Sequence, residues 1–292
     1  MSRKVCLITG ANAGIGKAAA IQLAEQGCRV ILACRDPQRG QAALAEVARQ
    51  SGSPEIELLT VDLSLQSSIR QCAQAFHARH AVLDVLIHNA ADFDIARTRR
   101  ELTAEGVERV WATNHLGPVL LTDLLREPLR RAGQGRVITV ASQGLVMHPF
   151  LRVDLDDPGF ARRRFSVARA YYQSKLAQVM YTFWLAEQLR DGAVTANCVR
   201  VPNVRIDITR YPNLPQVLRS MYAVKSRFSI SPEAMARAYT QLALSDALRD
   251  VSGGCFDERL RPVQASRYAR QPQNIAQVMA MTLASFEPGG AG

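Results

Sequence analysis

The sequence predicts an α/β fold in which short apolar strands alternate with helices. The first observation is an apolar run, Val5–Thr9, that leads into a glycine-rich turn and then into a helical pattern, Ala18–Gln26. The second is that similar apolar runs recur along the chain and end in polar residues. Since ligands bind beyond the carboxyl ends of the strands in open α/β sheets, these polar ends are candidate site residues.

The turn after the first strand has the glycine spacing of a dinucleotide-binding turn. Gly10 would make the tight turn, while Gly14 and Gly16 would let a pyrophosphate approach the backbone and the helix N-terminus. Glycine-rich turns also occur without ligands, so the position at the first strand–helix junction is what favours this reading. The candidate cofactor contacts here are Gly10, Asn12, Gly14, Ile15 and Gly16.

The second predicted strand, Arg29–Arg35, carries the information on cofactor choice. An acidic residue at its end would accept hydrogen bonds from the ribose 2′-hydroxyl of NAD, but this chain has Arg35. A guanidinium suits a 2′-phosphate, which favours NADP(H) over NAD(H). In the alternative reading Arg35 is a surface residue and an acid such as Asp36 binds the ribose.

Two further strands end in candidate cofactor contacts. The run Leu58–Leu63 brings Asp62, a candidate acceptor for the adenine amine, and Leu63 to the edge. The run Leu83–Ala91 ends in small residues against which a cofactor could lie, and we read His88 as a packing residue. The candidate contacts on this second run are Asn89, Ala90 and Ala91.

Four polar residues further along predict a reaction centre. Asn114 lies inside a predicted helix, where asparagine is unfavourable unless it has a role. Ser142 ends the predicted strand Arg136–Ser142. Tyr171 and Lys175 stand four residues apart, hence one turn apart on one face of a helix. A neighbouring ammonium lowers a tyrosine pKa, so we expect Tyr171 to donate a proton near neutral pH.

Together these residues resemble the short-chain dehydrogenase/reductase family over almost the whole chain, most of all its retinol-dehydrogenase-like and protochlorophyllide-reductase-like branch. The segments that carry the resemblance to this branch are Ala33–Asp36, Asn114–Gly117 with Leu120–Thr122, and Gln173–Ala177. The resemblance implies a Rossmann-type three-layer sandwich with a doubly wound, seven-stranded parallel sheet. It also implies a catalytic tetrad of Asn114, Ser142, Tyr171 and Lys175.

The activity implied by the resemblance is NADP(H)-dependent reduction of a ketone or aldehyde, or the reverse oxidation. Ser142 and Tyr171 would bind the carbonyl oxygen, and Tyr171 would give its proton. Lys175 would hold the nicotinamide ribose, and Asn114 would hold a water that reprotonates the site. Tyr171 and Lys175 are therefore cofactor contacts as well.

Two segments depart from the family pattern. Ala91 stands where the family has glycine, and Pro202-Asn203 stands where it has Pro-Gly. Asn203 tolerates positive φ better than most residues, which would preserve the turn. The threonine that follows in the family has no clear counterpart, since Thr209 lies far along. Pro202, Asn203 and Val204 remain candidate cofactor contacts, and placement of nicotinamide is the weakest part of the prediction.

Substrate recognition is expected in two segments near 143–170 and 205–230, because loops over the carboxyl edge commonly carry specificity. Their apolar and aromatic content favours a lipophilic or aromatic carbonyl or alcohol substrate, unless those residues only pack onto the core. The residues concerned are Leu145, Val146, Met147, Phe150, Leu151, Phe160, Phe165, Ile206, Ile208, Tyr211, Leu214, Leu218, Met221, Tyr222 and Phe228. The resemblance is compatible with a homodimer or a homotetramer.

Composition favours one domain over residues 1–292, without repeats or linkers. The net charge of +10 is scattered and lacks interleaved aromatic residues, so we expect no nucleic-acid partner. No apolar run approaches the ~20 residues that span a bilayer, and no signal or membrane anchor is expected. The six cysteines predict reduced thiols and a cytoplasmic protein. His77 and His80 lack further ligands, so no metal is expected.

Two alternatives keep the fold but change the function. The tyrosine–lysine pair could serve non-redox chemistry such as cyclisation, elimination or isomerisation, and the altered Pro202-Asn203 segment favours that reading. A non-catalytic NADP(H)-binding protein is the second alternative, against which the complete tetrad argues. Light-driven reduction, as in the protochlorophyllide branch, has no supporting feature in the sequence.

Overall fold

The computed structural model of the chain describes residues 3–205 and 229–286. Its centre is a sheet of seven strands in the order β3-β2-β1-β4-β5-β6-β7, and all six neighbouring pairs are parallel. The strands are β1 (Val5–Thr9), β2 (Arg29–Cys34), β3 (Ile56–Thr60), β4 (Val85–His88), β5 (Arg136–Ser142), β6 (Thr195–Val201) and β7 (Cys255–Phe256). The predicted doubly wound sheet is therefore confirmed.

Helices connect the strands and form the outer layers. They are α1 (Gly14–Glu25), α2 (Pro37–Ser51), α3 (Gln66–His77), α4 (Arg109–Trp111), α5 (Gly117–Leu124), α6 (Arg126–Arg131), α7 (Val167–Gln188), α8 (Pro232–Leu244), α9 (Arg267–Arg270) and α10 (Pro272–Ala284). A π-helical turn, Ala112–Leu116, joins α4 to α5. Local chemistry fixes several ends: Asp36 caps α2 ahead of Pro37, and Ser166 caps α7.

The strands bury both faces, as expected when helices cover a parallel sheet on each side. On β1, Cys6 and Ile8 join a core cluster with α1, α2 and α8. Leu7, between them, points to the opposite cluster, which α3, α5 and α7 complete. This alternation divides the molecule into three layers and leaves the carboxyl ends of the strands as the open edge.

The strand order reverses between β1 and β4, which pair directly. In doubly wound sheets a crevice opens at this point, because the connections from the two central strands leave toward opposite sides. The glycine turn follows β1 and Asn89–Ala91 follows β4, so the two predicted cofactor segments flank the crevice.

Two strand boundaries differ from prediction. Strand β3 is Ile56–Thr60 rather than Leu58–Leu63, and β4 ends at His88 rather than at Ala91. The chain leaves β3 early because Asp62 folds back, its carboxylate accepting from the amide (2.9 Å) and hydroxyl (2.7 Å) of Ser64. Asp62 and Asn89 consequently lie in loops at the carboxyl edge.

The C-terminal helix α10 packs on the core through Val278 and Met279. Its Thr282 hydroxyl lies 2.7 Å from Nε2 of His115 on the π-helical turn.

The chain enters and leaves the second predicted substrate segment side by side, since Arg205 N–H donates to the Ile230 carbonyl (2.9 Å). Residues 206–228 of that segment, Thr209 included, lie outside the described residues. Among the helices of residues 3–205 and 229–286, none is long and apolar enough to cross a membrane.

Candidate active site

The glycine turn is tightly built against the end of β4. Gly10 has φ +66°, and a Cβ there would lie 2.9 Å from the Cα of Ala90. A Cβ on Gly16 would collide with the side-chain amide of Asn89 and lie 2.8 Å from the Gly10 carbonyl. Gly14 also has positive φ, at 58°. Glycine is therefore required at all three positions, and Ile15 between two of them lies in the first turn of α1.

Asn89 acts as the joint between the two sides of the crevice. Its Nδ2 donates to the carbonyls of Thr9 (2.9 Å) and Gly10 (3.3 Å). Its Oδ1 accepts from the hydroxyl of Tyr239, 3.4 Å away on α8. Ala90 N–H donates to the Thr9 hydroxyl (3.1 Å), which ties the next residue to the same strand.

At the end of β2, two arginines are exposed and one acid is already engaged. Asp36 accepts from the amides of Gln38 (2.9 Å) and Arg39 (3.0 Å) through one oxygen. Arg35 and Arg39 are exposed, and neither forms an ion pair with a described carboxylate. Burial raises the pKa of the Cys34 thiol to about 11, against the influence of Ala11 and Asn12 amides and of Arg39.

The remaining predicted cofactor contacts lie around the same edge. Leu63 is buried and packs against Gly117 at the start of α5. Ala91 is exposed beyond β4, and Pro202 and Val204 are half-buried beyond β6. Asn203 is exposed, and its φ is not positive, since Phe160 and Leu260 are the described non-glycine residues in that region. Asn203 therefore lacks the positive φ that made asparagine a suitable replacement for glycine, and its carbonyl accepts from Ile230 N–H (3.1 Å).

Asn114 is buried within the π-helical turn and clamps the chain after β4. Its Oδ1 accepts from Asp92 N–H (2.6 Å), and its Nδ2 donates to the Asp92 carbonyl (3.0 Å) and to the Ser174 hydroxyl (3.1 Å). Both Nδ2 hydrogens are thus used by protein partners, while Oδ1 has one acceptor position beyond the Asp92 amide. A π turn shifts the following residues by one position, and such turns are frequent at functional sites.

The clamp places Phe93 against the predicted proton donor. The rings of Phe93 and Tyr171 are 4.4 Å apart between centroids, tilted by 39°. Asp92 itself is held by Arg97 in a two-pronged ion pair (2.9 and 3.2 Å). One wall around Tyr171 is therefore aromatic and is supported by a buried polar network.

Lys175 lies one turn further along α7, beneath Tyr171. Its Nζ is 5.8 Å from the Tyr171 ring centroid and donates to the Val140 carbonyl (2.8 Å) on β5. Burial lowers the pKa of Lys175 to about 8, with a smaller opposing effect of Cys198. At pH 7 it is still mostly protonated, so a positive charge is held below the tyrosine ring.

Ser142 ends β5, two residues after the carbonyl that holds Lys175. Its Oγ accepts from Gly144 N–H (3.1 Å) and so begins a short 3₁₀ turn, Gln143–Met147. Gly144 packs so closely on Tyr172 that a Cβ would lie 2.5 Å from its ring. Ser142, Lys175, Tyr171 and Asn114 are thus assembled by β5, α7 and the π-helical turn at one end of the sheet.

The histidines have structural partners. Burial lowers the pKa of His88 to about 3, helped by the charge of Lys175, and its Nε2 lies 2.7 Å from the Thr122 hydroxyl. This agrees with a packing role. His77 bonds to the Leu124 carbonyl (2.9 Å), whereas His80 is buried against Glu57 (3.0 Å) rather than on a solvated helix face. No group of three metal-ligating side chains occurs within residues 3–205 and 229–286.

Three side chains at the site carried no sequence signal strong enough to be singled out. Arg39 follows Arg35 by four residues and lies in the first turn of α2, so the helix start after Asp36 was the signal that could have pointed to it. Phe93 follows the small-residue end of β4 but belongs to no motif. Tyr239 reaches Asn89 from 150 residues away, a contact that only the fold reveals.

Comparisons with known proteins agree with this geometry. The sequence profile described as short chain dehydrogenase matches residues 4–152. Human retinol dehydrogenase 13 is 34% identical over 257 residues, which cover 87% of this chain and 76% of that protein. Human retinol dehydrogenase 12 is 35% identical over 87% of this chain and 78% of its own length.

Solved structures agree as well. A Mycobacterium paratuberculosis protein is 29% identical and superposes with a TM-score of 0.73, covering 96% of this chain and 92% of that one. A Shigella flexneri short chain dehydrogenase complexed with NADP shares the fold at 21% identity, with a TM-score of 0.66 over 89% of this chain and 98% of that one.

The chain therefore belongs to the short-chain dehydrogenase/reductase family of oxidoreductases. Within that family it falls in the retinol-dehydrogenase-like branch, because the relatives at 34–35% identity are retinol dehydrogenases.

Proposed function

We propose that this protein is an NADP(H)-dependent oxidoreductase that reduces a ketone or aldehyde of a lipophilic small molecule, or oxidises the corresponding alcohol. The observation that carries the proposal is the stack of Lys175 under Tyr171, with Phe93 on the tyrosine ring. A protonated lysine held in a buried site favours a reactive tyrosine, and an aromatic wall beside it suits an apolar substrate.

The residues around the crevice fit a nicotinamide dinucleotide. Gly10, Gly14 and Gly16 line the turn at the N-terminus of α1, where the packing of Gly10 and Gly16 leaves no room for a Cβ. The pair Arg35 and Arg39 offers two guanidiniums without carboxylate partners beside the expected ribose position, which favours the 2′-phosphate of NADP. Asp36, the alternative ribose ligand, is partly used as a helix cap. The same fold holds NADP in the Shigella flexneri protein.

The bound cofactor would supply hydride chemistry. The chain's own part is acid–base chemistry and placement. Tyr171 would donate its proton to the carbonyl oxygen on reduction, and Ser142 would hydrogen-bond the same oxygen where negative charge develops. Lys175 would stabilise the tyrosinate that results, since its charge lies below the ring. Asn114, through Asp92, would hold Phe93 in place.

Binding of the two nucleotides, measured by calorimetric titration, tests the cofactor part. We expect NADPH to bind at least about tenfold more tightly than NADH, because the 2′-phosphate gains charge-assisted bonds. Arg35→Ala and Arg39→Ala should each weaken NADPH binding while leaving NADH binding unchanged. Arg29→Ala, on the same strand but paired with Glu55 at the opposite end, is the matched control. Equal affinity for both nucleotides would contradict NADP preference.

Non-redox chemistry at the same residues is the second candidate. The supporting observation is the altered Pro202-Asn203 segment, in which Asn203 does not have positive φ. Conversion of a carbonyl substrate with no net consumption of NADPH would favour it over the proposal.

A further inference from the structure

Two cysteines face each other across the last pair of strands. Cys198 on β6 and Cys255 on β7 are register partners in the parallel sheet. Both side chains pack in the core cluster that β5, β6 and α7 form, so they lie on the same face of the sheet. Neighbouring strands lie about 4.8 Å apart, and the Cα atoms of a disulfide lie about 4.4 to 6.8 Å apart. The backbone therefore already holds the two residues within the span of a disulfide.

The two thiols are in direct contact. Cys255 donates a hydrogen bond to Cys198, and this bond lowers the pKa of the Cys198 thiol and raises that of Cys255. Burial opposes the lowering, whereas the Thr139 hydroxyl, the Ala141 amide and the charge of Lys175 add to it. Cys198 is therefore the member of the pair that more readily becomes a thiolate, the form that attacks another sulfur.

This pair is open to solvent at one member. Cys198 is fully buried, whereas Cys255 is half-buried in the edge strand β7. A second pair, Cys6 and Cys28, has the same kind of thiol–thiol hydrogen bond, but these residues are 0% and 3% exposed. The chain thus contains two pairs of similar chemistry, of which one is accessible and the other is enclosed.

We propose that Cys198 and Cys255 form an oxidation site, at which a small hydroperoxide such as hydrogen peroxide converts the two thiols to a disulfide between β6 and β7. The Cys255 sulfur attacks one peroxide oxygen, the O–O bond breaks, and the departing hydroxide leaves as water with the Cys255 proton. The Cys198 sulfur then attacks the sulfur of the resulting sulfenic acid, the S–O bond breaks, and hydroxide leaves as water with the Cys198 proton. The thiols lose two electrons and two protons, and the peroxide is reduced to two waters.

Oxidation would act on the candidate active site through Lys175, a consequence that rests on the proposed function. Burial lowers the pKa of Lys175 to about 8, and the negative charge of Cys198 opposes this effect. The other titratable groups that face Lys175 include Tyr171 on α7 and His88 on β4, and burial keeps His88 neutral. A disulfide carries no charge, so the pKa of Lys175 should fall further on oxidation, and less of it should be protonated at pH 8.

Peptide mapping by mass spectrometry tests the site directly. The full chain is treated with hydrogen peroxide, free thiols are blocked with N-ethylmaleimide in denaturant, and the peptides are analysed without reductant. Wild type should yield linked peptides that bear Cys198 and Cys255, lighter by two hydrogens than the separate peptides, and dithiothreitol should separate them. Cys6 and Cys28 are the matched control pair, and their link should be at least about tenfold less abundant because neither thiol is accessible.

An internal reference makes a negative result decisive. Met147 is 79% exposed, so its conversion to the sulfoxide reports that the oxidant has reached the protein. Recovery of both Cys198 and Cys255 as free thiols in protein whose Met147 is oxidised would overturn the proposal. So would Cys255 that accumulates as sulfinic acid while Cys198 stays reduced, because the second sulfur would then fail to form the disulfide.

The outcome is separable from that of the proposed function, since peptide mapping needs neither cofactor nor substrate. NADPH consumption with a lipophilic aldehyde at pH 8 tests the effect on Lys175. Peroxide should slow wild type severalfold and leave Cys255→Ser unchanged, and dithiothreitol should restore the wild-type rate. An unchanged rate in disulfide-linked protein would overturn the effect on Lys175. If linked and reduced protein both fail to consume NADPH, the reductase assignment fails while the oxidation site stands.

Discussion

The glycine turn and the segment after Ser142 lie on the same edge of the sheet but are built in opposite ways. Around the turn, Gly10 and Gly16 meet Ala90 and Asn89 so closely that no side chain could be added. In the other segment, Phe150 projects almost fully into solvent from an anchored base. The turn is fixed by packing, so substitutions there should cost binding and stability together. The exposed side chains after Ser142 are fixed only through the base of their segment, so substitutions of these side chains should leave the free energy of unfolding unchanged.

The largest expected effect falls on the chemistry between these two regions. Tyr171→Phe should lower turnover by about 10³-fold, because it removes the proposed proton donor, while NADPH affinity stays within about twofold. Steady-state turnover and calorimetric titration check both parts. Tyr172→Phe is the matched control, since its ring contacts His148 and carries no proposed chemical role. Comparable losses in both variants would remove Tyr171 from the mechanism.

The second largest effect is expected for Gly16→Ala, which tests the close packing of the glycine turn. The added methyl meets the Asn89 amide and the Gly10 carbonyl, so the free energy of unfolding should fall by about 2 kcal/mol. NADPH binding should weaken at least tenfold. Chemical denaturation and titration measure these effects. Gly192→Ala, where a Cβ would meet the Leu189 carbonyl at an ordinary 3.5 Å, should alter neither quantity. If Gly16→Ala changed neither the free energy of unfolding nor the affinity for NADPH, the contrast between the packed turn and the exposed segment would be wrong.

Lys175→Met should stabilise the protein while it abolishes turnover. Burial lowers the pKa of Lys175 from 10.5 to about 8, so the charged form costs the native state about 3 kcal/mol at pH 7. Loss of the bond to the Val140 carbonyl returns about 1 to 2 kcal/mol, which leaves a net gain of about 1 to 2 kcal/mol.

The sign of the pH dependence provides the control for Lys175. Between pH 8 and 10.5 the unfolded chain binds more protons than the native one at this group. The stability of wild type relative to Lys175→Met should therefore rise with pH in that window. Denaturation at pH 7 and at pH 10 measures it, and a difference that does not change with pH would contradict the assigned burial cost.

The smallest expected effect on stability is that of substituting Phe150 in the exposed segment after Ser142. Phe150→Ser should change the free energy of unfolding by less than about 0.5 kcal/mol, because the side chain is 93% exposed. Thermal denaturation measures the change, with Leu151→Ser as the contrasting variant, since Leu151 packs on the core. A substantial loss of stability in Phe150→Ser would mean that the segment around Phe150 belongs to the packed part of the molecule.

The sequence predicted the central part of the sheet better than its margins, and the reason is physical. Strands β1, β2 and β5 are mostly apolar, β1 is followed by Gly10 and β2 by Arg35, and β5 ends in Ser142, so their pattern could be recognised in the sequence. Strand β6 contains Asn197, whose amide is satisfied by the Val251 carbonyl (2.6 Å) and Gly254 N–H (2.9 Å). Strand β7 has only two residues, Cys255–Phe256. Their identification depends on tertiary partners that no local pattern records.

The candidate site shows the same division. The sequence pointed to four candidate residues because each is an unusual residue type for its position or spacing: Tyr171, Lys175, Asn114 and Ser142. Their hydrogen-bond partners could not be predicted, because the contacts join residues far apart in the chain: Asn114 bonds to Asp92, and Lys175 bonds to the Val140 carbonyl. The positive φ suggested for Asn203 does not occur in the structure, where the neighbouring Val204 pairs with Ile230.

The central claim is hydride transfer to a carbonyl at Tyr171, and isotope transfer tests it most directly. NADPH deuterated at both C4 positions is incubated with the protein and a lipophilic aldehyde, and the product alcohol is examined by mass spectrometry. The account predicts one deuterium per alcohol formed, stoichiometric with NADPH consumed, and no product with Tyr171→Phe. Substrate conversion without deuterium, or tight NADPH binding with no conversion of any carbonyl offered, would contradict it.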